Sequence, residues 1–418
     1  MQLPFNHIKK TLLSEGYFTA GIVIVFLLLE VYILLFRHIA HQADLELYYR
    51  VAFNIIEGQI PYRDFPLEYP LFALIPIVIP EIFNHFLEGN LNQYTAFFAA
   101  QNILLGIGTG ILVIKTSRFD SKSRSYRFAL IFILSLPIFL FRFDPFPAFL
   151  SSLAIFFMSR KQIASGFVWL ISVAVKLYTV IFFPILALYY YLSKQFISAF
   201  KQLAGMLLGS VLVSIALRWV GADNAFDFLS NHVQRGIHLE SLAGGLILLL
   251  QSAGVGSVKI QHDFGAMHLQ TAWSSPVLQF IKLLTPLLFV SLLGYIGLIF
   301  KREINVQGNI ALQTILIAFS TQLLLFIILN KVFSPQYLVW LLPFIPFLDR
   351  KTFIIFTATL MLTILIFPGN YYDLILMKTY MVIMLNVRNV LLIWMFVRLL
   401  NLLKNSRQNG EHFFRTPG

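Results

Sequence analysis

The chain has 418 residues, of which 58% are hydrophobic and 12% charged; its formal net charge is +12 and it contains no cysteine. Soluble domains carry about 25% charged residues, so a water-soluble globule is excluded, and without cysteine so are disulfide, zinc-thiolate and thiol chemistry. The excess positive charge is explained by basic residues in the cytoplasmic loops of a membrane protein and does not call for nucleic acid.

Apolar runs long enough to span a bilayer recur along the sequence, continuous rather than alternating, so the spans are expected to be helices and not strands of a barrel. The expected fold is all-α: one polytopic domain over residues 1–418 with about 12 transmembrane helices and both termini cytoplasmic. Residues 1–15 are polar and slightly basic, and 18–36 read as an uncleaved first span, because no small-residue cleavage site follows them. Residues 37–93 form a first outer loop. The apolar segment 69–86 within it is interrupted by Pro70, Pro76 and Pro80. If it crossed, the stretch 115–127, with five basic residues and one acid, would lie outside. That arrangement violates the positive-inside bias, so 69–86 is read as an interfacial or re-entrant helix. Cytoplasmic turns then fall at 115–127, 160–161, 194–201, 301–303 and 349–351, with a basic tail over 405–418. The segments 128–141 and 145–158 are read as short spans of about 14 residues, roughly 21 Å.

The first outer loop carries the densest chemistry. Asp44, Tyr48 and Ala52 are spaced to share one helix face, and the apolar residues between them make that helix amphipathic. Gly58 ends it and Pro61 opens an extended segment. Asp44 thus sits at the interface, able to take a proton from a hydroxyl or to act as a solvated cap. Tyr62 and Arg63 lead into a second acidic group, Asp64, Glu68 and Tyr69, for which helix capping is the plainer role of Asp64 and Glu68 and holding an acceptor sugar or a divalent ion the alternative. Further on, Arg142 and Asp144 flank Phe143 at a bilayer lip, where charges must be paired or functional. Lys176, beside Tyr178, interrupts an apolar run. The loop 219–273 carries His232, Arg235, Glu240 and Ser241. Lys331, Ser334, Gln336, Tyr337 and Arg388 complete the set. Five cations expected on one face (Arg142, Lys176, Arg235, Lys331 and Arg388) point to an anionic ligand, with His232 as a further phosphate contact. There is no P-loop, dinucleotide fingerprint or HExxH motif. A nucleotide-sugar or ATP site has no support, and a lipid-borne donor fits better.

In order along the chain, Asp44, Tyr48, Ala52, Gly58, Pro61, Tyr62, Asp64, then Arg142-Phe143-Asp144, Lys176-Leu177-Tyr178, Arg235-Gly236 with Glu240-Ser241, Ser334-Pro335-Gln336-Tyr337 and Arg388-Asn389 resemble motifs of the GT-C glycosyltransferases. The likeness is to family GT87, which contains mycobacterial phosphatidylinositol-mannoside mannosyltransferases. Thr179 stands where many relatives have proline, and Tyr-Pro-Leu replaces Tyr-Pro-Pro after Glu68. The resemblance implies a GT-C fold in the cell membrane and an inverting hexosyl (mannosyl-like) transfer from a polyprenyl-phosphate sugar to a lipid or glycan acceptor on the extracytoplasmic side. Asp44 would be the general base, the cations would hold the donor phosphate, and Tyr48, Tyr62, Arg63, Asp64, Glu68, Tyr69, Asp144, Tyr178, Glu240, Ser241, Ser334, Gln336 and Tyr337 would line the sugar and acceptor sites. No cofactor is required, although Asp44, Glu46, Asp64 and Glu68 offer ligands for a divalent cation. Alternatives are a carrier or flippase of lipid-linked sugars, with groups near the midplane, and a glycan ligase or polymerase.

Overall fold

The computed structural model describes residues 41–116, 121–221, 234–263 and 265–406. The segment 18–36, His232 and most of the tail 405–418 lie outside the described residues. The molecule is mostly helical, 78%, and among the described residues six helices are long and apolar enough to cross a membrane. It is a multi-pass membrane protein.

Helix α1 (Gln42–Ile56) follows the expected amphipathic pattern, burying Leu45, Tyr48, Val51 and Ala52. Gly58, at φ +83°, ends it in a conformation that side chains with a Cβ disfavour. After an irregular stretch, α2 (Leu74–Phe86) pairs with α3 (Leu91–Thr116). The α3 residue Asn102 lies level with the far end of α4 (Ser121–Phe139), donating to the carbonyls of Leu140 at 2.8 Å and Arg142 at 2.9 Å. The first 11 residues of α3, 91–101, therefore project about 16 Å past that turn. α2 packs on this projecting part: Tyr94 donates to the Ile77 carbonyl and Gln101 to that of Pro76.

The expected short span 128–141 needs correction. α4 starts at Ser121 and has 19 residues, because the basic stretch joins the helix. Arg127 donates to the Leu348 carbonyl at 2.7 Å and Arg124 stacks over Phe347, so this first polar turn has partners to hold it. By contrast α5 (Pro145–Met158) has 14 residues as expected, with Pro145 at its first position, where no amide donor is needed.

α6 (Gln162–Val175) is broken at Lys176, whose backbone is extended, before a 3₁₀ turn (Leu177–Phe182), α7 (Phe183–Leu192) and α8 (Phe196–Trp219). The loop 219–273 departs from a purely helical fold. It holds β1 (Ile237–His238), α9 (Leu242–Ser252), β2 (Lys259–Asp263) and β3 (Ala266–Gln270), forming an antiparallel sheet in the order β1-β3-β2. β1 pairs through Ile237 with Leu269 and His238 with His268. α10 (Ser274–Gln307), α11 (Leu312–Leu329), α12 (Arg350–Ile364) and α14 (Thr379–Lys404) follow, with the short α13 (Tyr371–Ile375) between the last two.

In the most apolar 18-residue stretch of each candidate span, 72% of the residues are buried in α11, against 17% in α8 and 22% in α10. The first is the central helix and the other two present their apolar sides outward, as lipid-facing helices do. The bundle has two chemically distinct ends. At one, Arg160 donates to the Lys115 carbonyl, Arg127 to that of Leu348, and Arg398 pairs with Asp349 at 2.7 Å. At the other lie the α4–α5 turn, the α6 break, the sheet and α1.

Candidate functional site

The charged groups singled out at residues 44, 142, 144 and 176 meet at this second end, in crossed pairs. Arg142 does not pair with Asp144, two residues away; it forms a salt bridge with Asp44 of α1. Asp144 instead accepts from Lys176 at 2.6 Å and from the Trp340 indole N–H at 2.6 Å, both on Oδ1. The local causes are legible. Asn102 pins the α4–α5 turn by its carbonyls, and Pro145 opens α5 directly after Asp144. The extended Lys176 backbone releases its side chain toward that turn.

Exposure separates the members. Asp144 is 1% exposed, whereas the Asp44 side chain is 27% exposed and stands in the first turn of α1, where the helix dipole favours a negative charge. Lys176 sits in an aromatic cage, its ammonium 4.6 Å from the centroid of Phe143 and 5.2 Å from that of Trp340. Behind it Tyr178, Trp340 and Tyr337 form a three-ring stack with centroids 4.0 and 4.1 Å apart. These rings are buried, so they wall the site. Tyr48 and Tyr69 pack edge-on against each other and against Phe143, and Tyr62 donates to the Tyr69 carbonyl at 2.6 Å.

Arg235 and Arg142 both lie within electrostatic reach of Lys176. Lys331 donates to the Arg235 carbonyl at 2.6 Å and accepts the sheet onto its own carbonyl through the His238 N–H. Arg142, Lys176, Arg235 and Lys331 are thus gathered at one end of the bundle with two carboxylates, Asp44 and Asp144.

Other residues of the expected set have their contacts apart from this cluster. Arg388 is fully buried; it donates to the Glu240 carbonyl at 2.5 Å and to Asn389 at 3.0 Å, approaches the Glu240 carboxylate at 3.7 Å, and lies over Phe333. Burial pushes the Glu240 carboxyl up to about 7, against the pull of Arg388. This pair joins the sheet region to α14 inside the protein. Ser241 caps α9 by accepting from the Gly244 N–H at 3.0 Å. Asp64 accepts from the Ile60 N–H at 2.7 Å and pairs with Arg63, which together hold its carboxyl below the usual range. It ties its own loop, and Glu68 is exposed. Ser334 and Gln336 bond each other. Among the described residues, Asp44, Glu46, Asp64 and Glu68 do not come together as a cation site.

Two residues that shape the site carried no signal strong enough to be singled out. Trp340 lies three residues after Tyr337, on the same face of a 3₁₀ turn (Pro335–Leu341), which the spacing could have shown. Asn102 reads as a lone polar residue in an apolar helix, and its partners, about 40 positions away, are backbone carbonyls that no side-chain pattern marks. No protein-family model, curated protein or solved structure matches the chain significantly.

Proposed function

We propose that the protein is a GT-C type glycosyltransferase of the bacterial cell membrane that transfers a sugar from a polyprenyl phosphate to a lipid or glycan hydroxyl on the extracytoplasmic side. The observation that carries this reading is the partly exposed Asp44 carboxylate, held by Arg142 at the same end of the bundle as Lys176, Arg235 and Lys331. A base and a set of cations at one end meet the two needs of transfer from a phosphorylated donor. Asp44 takes the proton of the acceptor hydroxyl as its oxygen bonds to the anomeric carbon. The anomeric C–O bond to phosphate breaks, and the electron pair leaves with the lipid phosphate, whose charge Arg235 and Lys331 receive. The packing of α2 on the projecting part of α3 supports a first outer loop that does not cross the bilayer, within a chain of about 12 spans. The opposite, basic end would then be cytoplasmic.

The test is incubation of the purified protein in nanodiscs with a panel of polyprenyl-phosphate sugars and candidate acceptors, measuring released polyprenyl phosphate and glycosylated product. Asp44→Asn is expected to lower turnover by about 10²–10⁴-fold. Turnover like the wild type in that variant removes Asp44 as the base. No release or transfer from any donor would favour a carrier instead.

A further inference from the structure

The basic end holds a second feature, independent of the Asp44 site. α6 and α8 run side by side in the same direction: Gly166 faces Gln202 and Gly205 faces Ile163 so closely that an added Cβ at either would lie 1.9 Å from a backbone carbonyl oxygen. Further along, Gly209 meets Leu170. This parallel contact brings the beginnings of both helices together at one end, and neither has an acidic residue in its first turn. Beside the contact a cavity of about 540 Å³ opens outward, lined by Lys161 and Lys201 together with the apolar side chains of Ile163, Phe167 and Leu208. Among the described residues no carboxylate lines it. Both lysines and Leu208 are exposed. On α8, Lys201 and Leu208 are seven residues apart, about 10 Å along the axis, so a cation and an apolar side chain follow each other along the groove. α8 turns most of its surface outward.

We propose that this groove binds one anionic glycerophospholipid of the leaflet at the basic end. Its phosphate lies between Lys161 and Lys201, and an acyl chain lies on Phe167 and Leu208. The charge selects the occupant: two ammonium groups above an apolar wall match an anionic headgroup with a hydrocarbon tail, whereas a zwitterionic headgroup brings its own cation. Free phosphate would find the lysines but leave the apolar wall in contact with nothing. The lipid would hold the first turns of α6 and α8 together, and α6 is the helix whose other end delivers Lys176 to Asp144.

Native mass spectrometry of the full chain released from micelles, titrated with phosphatidylglycerol or phosphatidylcholine, tests this. Wild type is expected to retain phosphatidylglycerol preferentially. Lys161→Gln with Lys201→Gln should reduce that preference about tenfold or more, and Leu208→Trp, which fills the groove and leaves the charges, should reduce it too. The control Lys122→Gln with Lys351→Gln removes two exposed cations elsewhere on the same end and should keep it. Equal loss in the control, or retention in both groove variants, overturns the site. Displacement of phosphatidylglycerol by millimolar inorganic phosphate alone overturns the lipid and leaves a phosphate site. None of these outcomes depends on whether Asp44 is a base.

Discussion

Substituting Asp144 with Asn separates its charge from its shape. The carboxylate is 1% exposed, and one oxygen accepts from both Lys176 and Trp340. Asn keeps an acceptor for the indole but strands the Lys176 ammonium, itself 21% exposed, in a cage of Phe143, Tyr337 and Trp340. Removing one partner of a buried ion pair costs about 3–5 kcal/mol, because the remaining charge stays out of water. At roughly 2 °C per kcal/mol for a chain of this size, the apparent unfolding midpoint should fall by about 5 °C or more. Lys176→Met alone should cost a similar amount by stranding Asp144. The double variant Asp144→Asn with Lys176→Met should recover much of the loss, since neither charge is then buried alone. Fluorescence-detected size-exclusion after heating, on all four proteins in one detergent, gives the coupling directly. Additive losses in the double variant, or single variants with wild-type midpoints, would refute a buried, energetically coupled pair.

The close approach of α6 and α8 predicts that Gly166→Leu separates the helices, lowering folded yield in the same assay by an overpacking cost of about 1–3 kcal/mol or more, while Gly294→Ala, at a site with open space, changes little. His238 sits on β1, where burial first, and then His268, Arg388 and Arg235, push its imidazole down to about 3. Its folded pKa is depressed, so the unfolded chain binds the proton more readily; the associated stability is present above about pH 6.5 and lost as pH falls toward 3. Glu240, raised to about 7 by burial, contributes in the opposite sense between pH 4.5 and 7. The comparison is therefore between wild type and His238→Gln: the midpoint of the wild type should fall more between pH 7 and pH 5, and parallel curves would remove His238 as the cause. Finally, the chain has no cysteine, so single cysteines report sidedness without background. Glu68→Cys and Lys161→Cys should be labelled by a membrane-impermeant maleimide from opposite sides of a sealed vesicle; labelling of both from one side would refute the assignment of the two ends.

Composition alone determined that this is a membrane-embedded helical protein, because a chain with so few charges has no other way to cover its surface. The amphipathic face of α1 and its end at Gly58 were equally legible, since they depend on spacing and on one residue type. So was the need for the charges at 142, 144 and 176 to be paired or functional. Their partners were not legible. A pair between neighbouring Arg142 and Asp144 was one possibility, and only the tertiary structure decided that Arg142 reaches Asp44 while Lys176 takes Asp144, because those contacts depend on where α1, the α4–α5 turn and the end of α6 are pinned. The same holds for Arg388 and Glu240, 148 positions apart, which were expected as a phosphate contact and a sugar-site group and are enclosed together. The small sheet in the loop 219–273 also escaped the sequence: its first strand has two residues and is fixed by pairing with β3, too short to leave a period of its own.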